Sequence, residues 1–215
     1  MITTCKHLMI APMDYIRDPK EIYRRSFEIV AAETDVAGIP IDAVPLVHRL
    51  VHACGMPDIT SDLRVSKTAI SAGRGALARG CPIFADCTMV ASGIISDRLA
   101  NNNHIICTLN GTATGKETTR SAAAVEAWVP NLNNAVVAIG NAPTALFRLL
   151  EILQAGGPKP AIIMGFPVGF VGAAESKAAL VSNSYNVPFI TLLGRRGGSA
   201  IAAAAVNALA SDTVS

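Results

Sequence analysis

At 215 residues, the chain is long enough to bury one sizeable core and short for two full domains, so a single domain over residues 1–215 is expected. Its 51% hydrophobic and 16% charged residues leave apolar surface for a partner subunit to cover. The formal net charge of +2, with no long block of like charges, argues against nucleic acid or an anionic membrane as partner.

In chain order, residues 1–13 read as a loose leader. Lys6 and the apolar run Leu8–Met13 loosely resemble a signal peptide, but Pro12 interrupts the run and no small-residue cleavage site precedes Asp14, so a cytoplasmic protein is expected. Asp18-Pro19-Lys20-Glu21 supplies an N-cap, a first-turn proline and a capping-box glutamate, predicting a helix to about Ala32. Val44, Val47, Val51 and Cys54 recur at helical spacing, and Gly55 closes that helix. A third helix is predicted over Ser66–Arg79, ended by Gly80. Short apolar runs then follow at Pro82–Ala85, Ile105–Thr108, Val136–Ile139, Ala161–Met164 and Val187–Leu192, separated by helical patterns such as Thr144–Leu153 and Ile201–Leu209. This alternation predicts an α/β fold, a mainly parallel sheet of about five strands between two helical layers, with ligand sites at the carboxyl ends of the strands. Residues 210–215 read as a frayed tail.

Several motifs offer chemistry, each with a plainer reading. Leu109–Glu117 resembles a phosphate loop, but Gly111 and Gly115 enclose three residues and Glu117 stands where a Ser or Thr should bind magnesium, so a surface loop is the better reading. Gly165, Gly169 and Gly172 follow a strand with GxxxGxxG spacing and an intruding Pro167, a poor dinucleotide fingerprint. The apolar stretch Ala161–Ala174 that contains them is shorter than the ~18 residues a membrane span needs. His48 and His52 stand one helical turn apart, without a third zinc ligand or a zincin glutamate. Cys5, Cys54, Cys81, Cys87 and Cys107, odd in number and without CxxC spacing, suit reduced thiols in place of a metal or disulfide frame.

His52 lies at the edge of its helix's apolar stripe beside Arg49, where a hydrogen-bonded structural histidine is the ordinary reading. After the strand Val136–Ile139, Gly140-Asn141-Ala142-Pro143-Thr144 turns sharply into a helix, with Asn141 as its expected cap. Such a turn directs free amides at an anion, or is simply a capped helix. Gly194-Arg195-Arg196-Gly197-Gly198-Ser199 repeats the device with two arginines and Ser199 as cap, an arrangement suited to a carboxylate or to solvent. Asp86 caps the next segment or touches ligand. Glu175-Ser176-Lys177 opens a helix, and Arg120-Ser121 begins the helix that holds Trp128.

The order of longer strings carries more information. Tyr15-Ile-Arg-Asp-Pro, Tyr23-Arg-Arg-Ser26-Phe, Val51-His52-Ala-Cys-Gly, Thr119-Arg120-Ser121, Val136 through Phe147, Gly165 through Lys177 and Gly194-Arg-Arg-Gly-Gly-Ser together resemble the precorrin-8X methylmutase family, from about Tyr15 to Leu209. The resemblance implies a flavodoxin-like α/β/α domain and a homodimer with shared active sites. It implies a cofactor-free isomerase of cobalamin biosynthesis, acting on a corrinoid by moving a methyl group between adjacent ring C carbons. The family's active-site histidine falls on His52. By residue type, Ser26, Arg49, Arg120, Asn141, Thr144 and Arg195 suit the carboxylate-bearing rim of such a substrate. The substrate is metal-free precorrin-8X, giving hydrogenobyrinate, or its cobalt form, giving cobyrinate. A non-catalytic corrinoid carrier and a nucleotide-dependent oxidoreductase are the competing readings, the latter disfavoured by the spacing of both glycine motifs.

Overall fold

The structure, a computed structural model, describes residues 13–99, 101–112 and 117–211. The leader before Met13, the tail beyond Ser211 and the heart of the phosphate-loop candidate, residues 113–116, lie outside the described residues.

Helix α1 (Pro19–Glu33) starts where expected, with the Asp18 carboxylate accepting from the Lys20 amide. Glu21 does not complete a capping box, because it pairs with Arg24 one turn on. Helix α2 (Val44–Cys54) stops at Gly55, whose φ of 68° is a left-handed conformation that costs glycine little. Strand β1 (Leu63–Val65), α3 (Ala69–Ala78), β2 (Ile83–Ala85), α4 (Thr88–Gly93) and β3 (Ile105–Ile106) follow. Then come α5 (Arg120–Glu126), β4 (Val136–Ile139), α6 (Pro143–Gln154), β5 (Ile162–Gly165), α7 (Ala173–Ser182), β6 (Phe189–Leu192) and α8 (Ser199–Ala210). Helix α5 ends before Trp128, which sits in the following turn. Helix α8 takes in Ala210, the first residue of the expected tail.

The sheet has six strands in the order β1-β6-β5-β4-β2-β3. All neighbours are parallel except β1, which runs antiparallel to β6 with Leu63 opposite Leu192. The predicted runs supply the five parallel strands; β1 is the addition. Taken alone, those five follow the doubly wound order of flavodoxin-like sheets, which places the topological switch point between β2 and β4.

Strand residues alternate between two cores. Val136, Ala138, Ile162, Met164 and Ile190 face the layer of α2, α3, α4 and α8, against which α1 also packs. Val137, Ile139 and Ile163 face the layer of α5, α6 and α7, where Phe84 stacks on Trp128 at 5.3 Å. Among the described residues no helix is long and apolar enough to cross a membrane.

Candidate active site

The switch-point crevice of a doubly wound sheet ordinarily receives ligand. Here three backbone donors of that crevice are taken by the protein's own carboxylate. Asp86, buried just after β2, accepts from the amides of Gly140, Asn141 and Ala142 at 2.9, 2.9 and 2.8 Å. Burial pushes its carboxyl above the usual carboxylate range, and the three amides pull it back. Two expectations are corrected by this. The N-cap of α6 is Ala142 with no side-chain cap, not Asn141, and the amides of this turn already have an acceptor. Likewise α8 is capped by Gly198 backbone, not by Ser199, whose Oγ lies 3.4 Å from Cys87 Sγ.

His52 projects from the last turn of α2 onto α1. Its Nδ1 lies 2.9 Å from Ser26 Oγ, and its ring stacks on Phe27 with centroids 4.9 Å apart and 24° between planes. Tyr23 meets the ring edge-on at 6.3 Å. Tyr23, Ser26 and Phe27 are neighbours on α1 because residues three and four apart share a helix face. The imidazole is thus held through one nitrogen and one face, leaving Nε2 for another partner.

Beside it lies an open cavity of about 350 Å³, lined by Tyr23, Arg49, His52 and Arg98 over a floor of Ala200 and Ala203 on α8. The guanidinium of Arg49 stands 5.7 Å over Phe27. Neither Arg49 nor Arg98 has a carboxylate partner among the described residues. Such a site offers a proton-handling ring, two cations and a floor of small side chains that lets a flat ligand approach α8. His48 is half-buried one turn before, where burial holds its ring below the ordinary histidine range. No cluster of three or more His, Cys, Asp or Glu side chains among the described residues is placed to hold a metal ion.

The structure therefore brings His52, Ser26 and Arg49 together. Arg120 and Thr144 begin α5 and α6, on the opposite helical layer, where Thr144 Oγ1 accepts from Thr119 Oγ1 at 2.8 Å. Asn141 and Arg195 lie on the carboxyl-end turns after β4 and β6, and Arg195 stands 5.4 Å over the exposed Phe170 ring. Neither those two nor Arg120 and Thr144 line the His52 cavity. Sequence reasoning missed Arg98, which sits in a short turn (Ser96–Arg98) without periodicity, and Phe27, whose spacing from Tyr23 was the available signal.

A family model described as precorrin-8X methylmutase matches residues 21–212. The precorrin-8X methylmutase of Pseudomonas aeruginosa is 57% identical over 93% of this chain and 99% of its own length. A cobalt-precorrin-8 methylmutase of Leptospira interrogans is 34% identical over 88% and 92%. The solved precorrin-8X methylmutase of Thermus thermophilus superposes with a TM-score of 0.80 at 36% identity, covering 89% of this chain and 94% of that one. The chain belongs to the precorrin-8X methylmutase family and is a methylmutase, an isomerase of cobalamin biosynthesis.

Proposed function

We propose that the chain isomerises metal-free precorrin-8X to hydrogenobyrinate, moving a methyl group between adjacent carbons of ring C, with His52 as the residue that manages the proton. The observation that carries this reading is the His52–Ser26 pair at the mouth of a cavity holding two arginines. A concerted methyl shift forms one carbon–carbon bond as it breaks another and needs no protein nucleophile. The enzyme's task is to bind one reactive tautomer and hold its proton in place. In this reading Ser26 Oγ–H donates to Nδ1, so Nε2 carries the proton and donates it to a ring group beside the migrating methyl. Arg49 receives a peripheral carboxylate of the substrate.

Arg120, Asn141, Thr144 and Arg195 complete the rim across a homodimer, His52 coming from one protomer and rim residues from its partner. Exposed apolar side chains at Ile22, Ile29, Phe170 and Val171 support such an assembly. The chain works in the cytoplasm as a single methylmutase domain without a cofactor of its own. The metal-free substrate is favoured by the higher identity to the relative that bears its name.

The test is to incubate purified protein with precorrin-8X and with its cobalt form and follow the visible spectrum. Catalytic conversion, faster on the metal-free form, is expected. Preference for the cobalt form transfers the chain to the other branch, and a stoichiometric spectral change without turnover makes it a carrier.

A further inference from the structure

The turn after β6 contains two consecutive arginines, and among the described residues only the second has its guanidinium on carboxylates. Arg196 Nη1 donates to Asp58 Oδ2 at 2.6 Å and Nη2 to Asp62 Oδ2 at 2.8 Å. Both acids belong to the short helical turn Pro57–Asp62, which leaves α2 just beyond His52. From below, the fully buried Lys177 of α7 donates its ammonium to the Arg196 carbonyl. The same turn is fastened to the β5 loop, with Gly198 N donating to Phe166 O at 2.8 Å and Gly169 N to Arg195 O at 3.2 Å. Gly197 packs so closely on that loop that a Cβ there would lie 2.3 Å from Phe166 O. Arg196 is thus held twice, by its own forked guanidinium on two carboxylates and by a buried ammonium on its carbonyl.

We infer that Arg196 is a positioning residue: it locks the turn carrying Arg195 to the segment that follows the His52 helix, with Lys177 fixing the peptide beneath. Anchoring leaves the Arg195 guanidinium as the turn's outward-facing cation. Its place relative to His52 is set by the Arg196 bonds to Asp58 and Asp62. Asp58 is exposed and Asp62 partly so, and the fork therefore adds little to global stability. Its effect is on geometry, to which catalysis is far more sensitive.

The inference rests on the proposed isomerisation of precorrin-8X at His52, and two readouts keep their failures apart. Arg196→Met is expected to lower kcat/KM on precorrin-8X by roughly 10- to 100-fold while Tm stays within about 4 °C of the parent. Asp58→Asn/Asp62→Asn should reproduce the loss, and the triple variant should be no worse than Arg196→Met alone. Arg196→Lys should recover only part of the activity, because an ammonium cannot span both acids as a fork. Independently of turnover, Arg196→Met should speed amide hydrogen exchange at Gly194–Gly198 and leave β4 unchanged. If the parent protein fails to isomerise precorrin-8X, the functional reading falls and the exchange result alone decides the anchoring. Unchanged exchange overturns the inference. So does full activity of the Asp58→Asn/Asp62→Asn variant beside an inactive Arg196→Met, since Arg196 would then be touching substrate itself.

Discussion

Ser26 Oγ lies 2.9 Å from His52 Nδ1, although 26 residues and a change of helix separate them. The bond fixes which imidazole nitrogen is left for a further partner, and the Phe27 ring fixes the plane in which it lies. Ser26→Ala should therefore lower kcat by about 10- to 100-fold with little change in KM, because the ring remains but its tautomer and direction do not. Steady-state kinetics on the purified variant measure this, and an unchanged kcat would remove Ser26 from the mechanism.

The switch-point turn should depend on Asp86 for stability. Asp86→Ala strips three amides of their acceptor, two of them buried, at a cost of about 3 kcal/mol. That corresponds to a fall in Tm of roughly 6–12 °C for a chain of this size. Asp86→Asn keeps one acceptor oxygen and should fall between the two. Thermal unfolding of the three proteins checks the order, and a parental Tm for Asp86→Ala would contradict the assignment.

Much of this was legible in the sequence, and the gaps have physical causes. Asp18 and Gly55 announce helix ends because capping is local: the acceptor, or the left-handed residue, sits within the turn it terminates. The five parallel strands are legible as continuous apolar runs, since a sheet covered on both faces buries every position of its central strands β4 and β5. Strand β1, Leu63-Arg64-Val65, carries the exposed Arg64 at its centre and so forms no continuous apolar run. Asn141 looked like a cap because Asn caps helices, but the acceptor came from Asp86, 55 residues earlier. In the same way nothing in Gly194-Arg195-Arg196-Gly197 says which arginine is tied down; Asp58 and Asp62 decide it from across the fold. The string Val51-His52-Ala53-Cys54-Gly55 points to His52 through the family resemblance, whereas its pairing with Ser26 is a tertiary fact.

Lys177 gives stability an alkaline dependence. Burial holds its ammonium at about 8, below its ordinary 10.5. The folded chain releases this proton first as pH rises, so between those values the unfolded chain binds more protons and the group's contribution to stability increases with pH. Below about 8 both states hold the proton and the contribution is constant. Comparing the parent with Lys177→Met by denaturant unfolding should show their stability difference moving in the parent's favour by roughly 1–2 kcal/mol from pH 8 to pH 10. A pH-independent difference would show that burial does not shift the lysine.

If active sites are shared between subunits, inactive protomers should complement. His52→Ala and Arg120→Ala proteins, mixed and allowed to exchange subunits, should regain up to about a quarter of parental activity through heterodimers with one intact site. Sedimentation should give a dimer for each protein alone. Absence of recovered activity in proven heterodimers would confine the site to one chain.

Single-turnover spectroscopy of His52→Ala with precorrin-8X decides the role of the His52 side chain. The expected result is a dimer that still binds the corrinoid, through Arg49 and the rest of the rim, and shows no conversion to hydrogenobyrinate. Conversion by His52→Ala at the parental rate would contradict it.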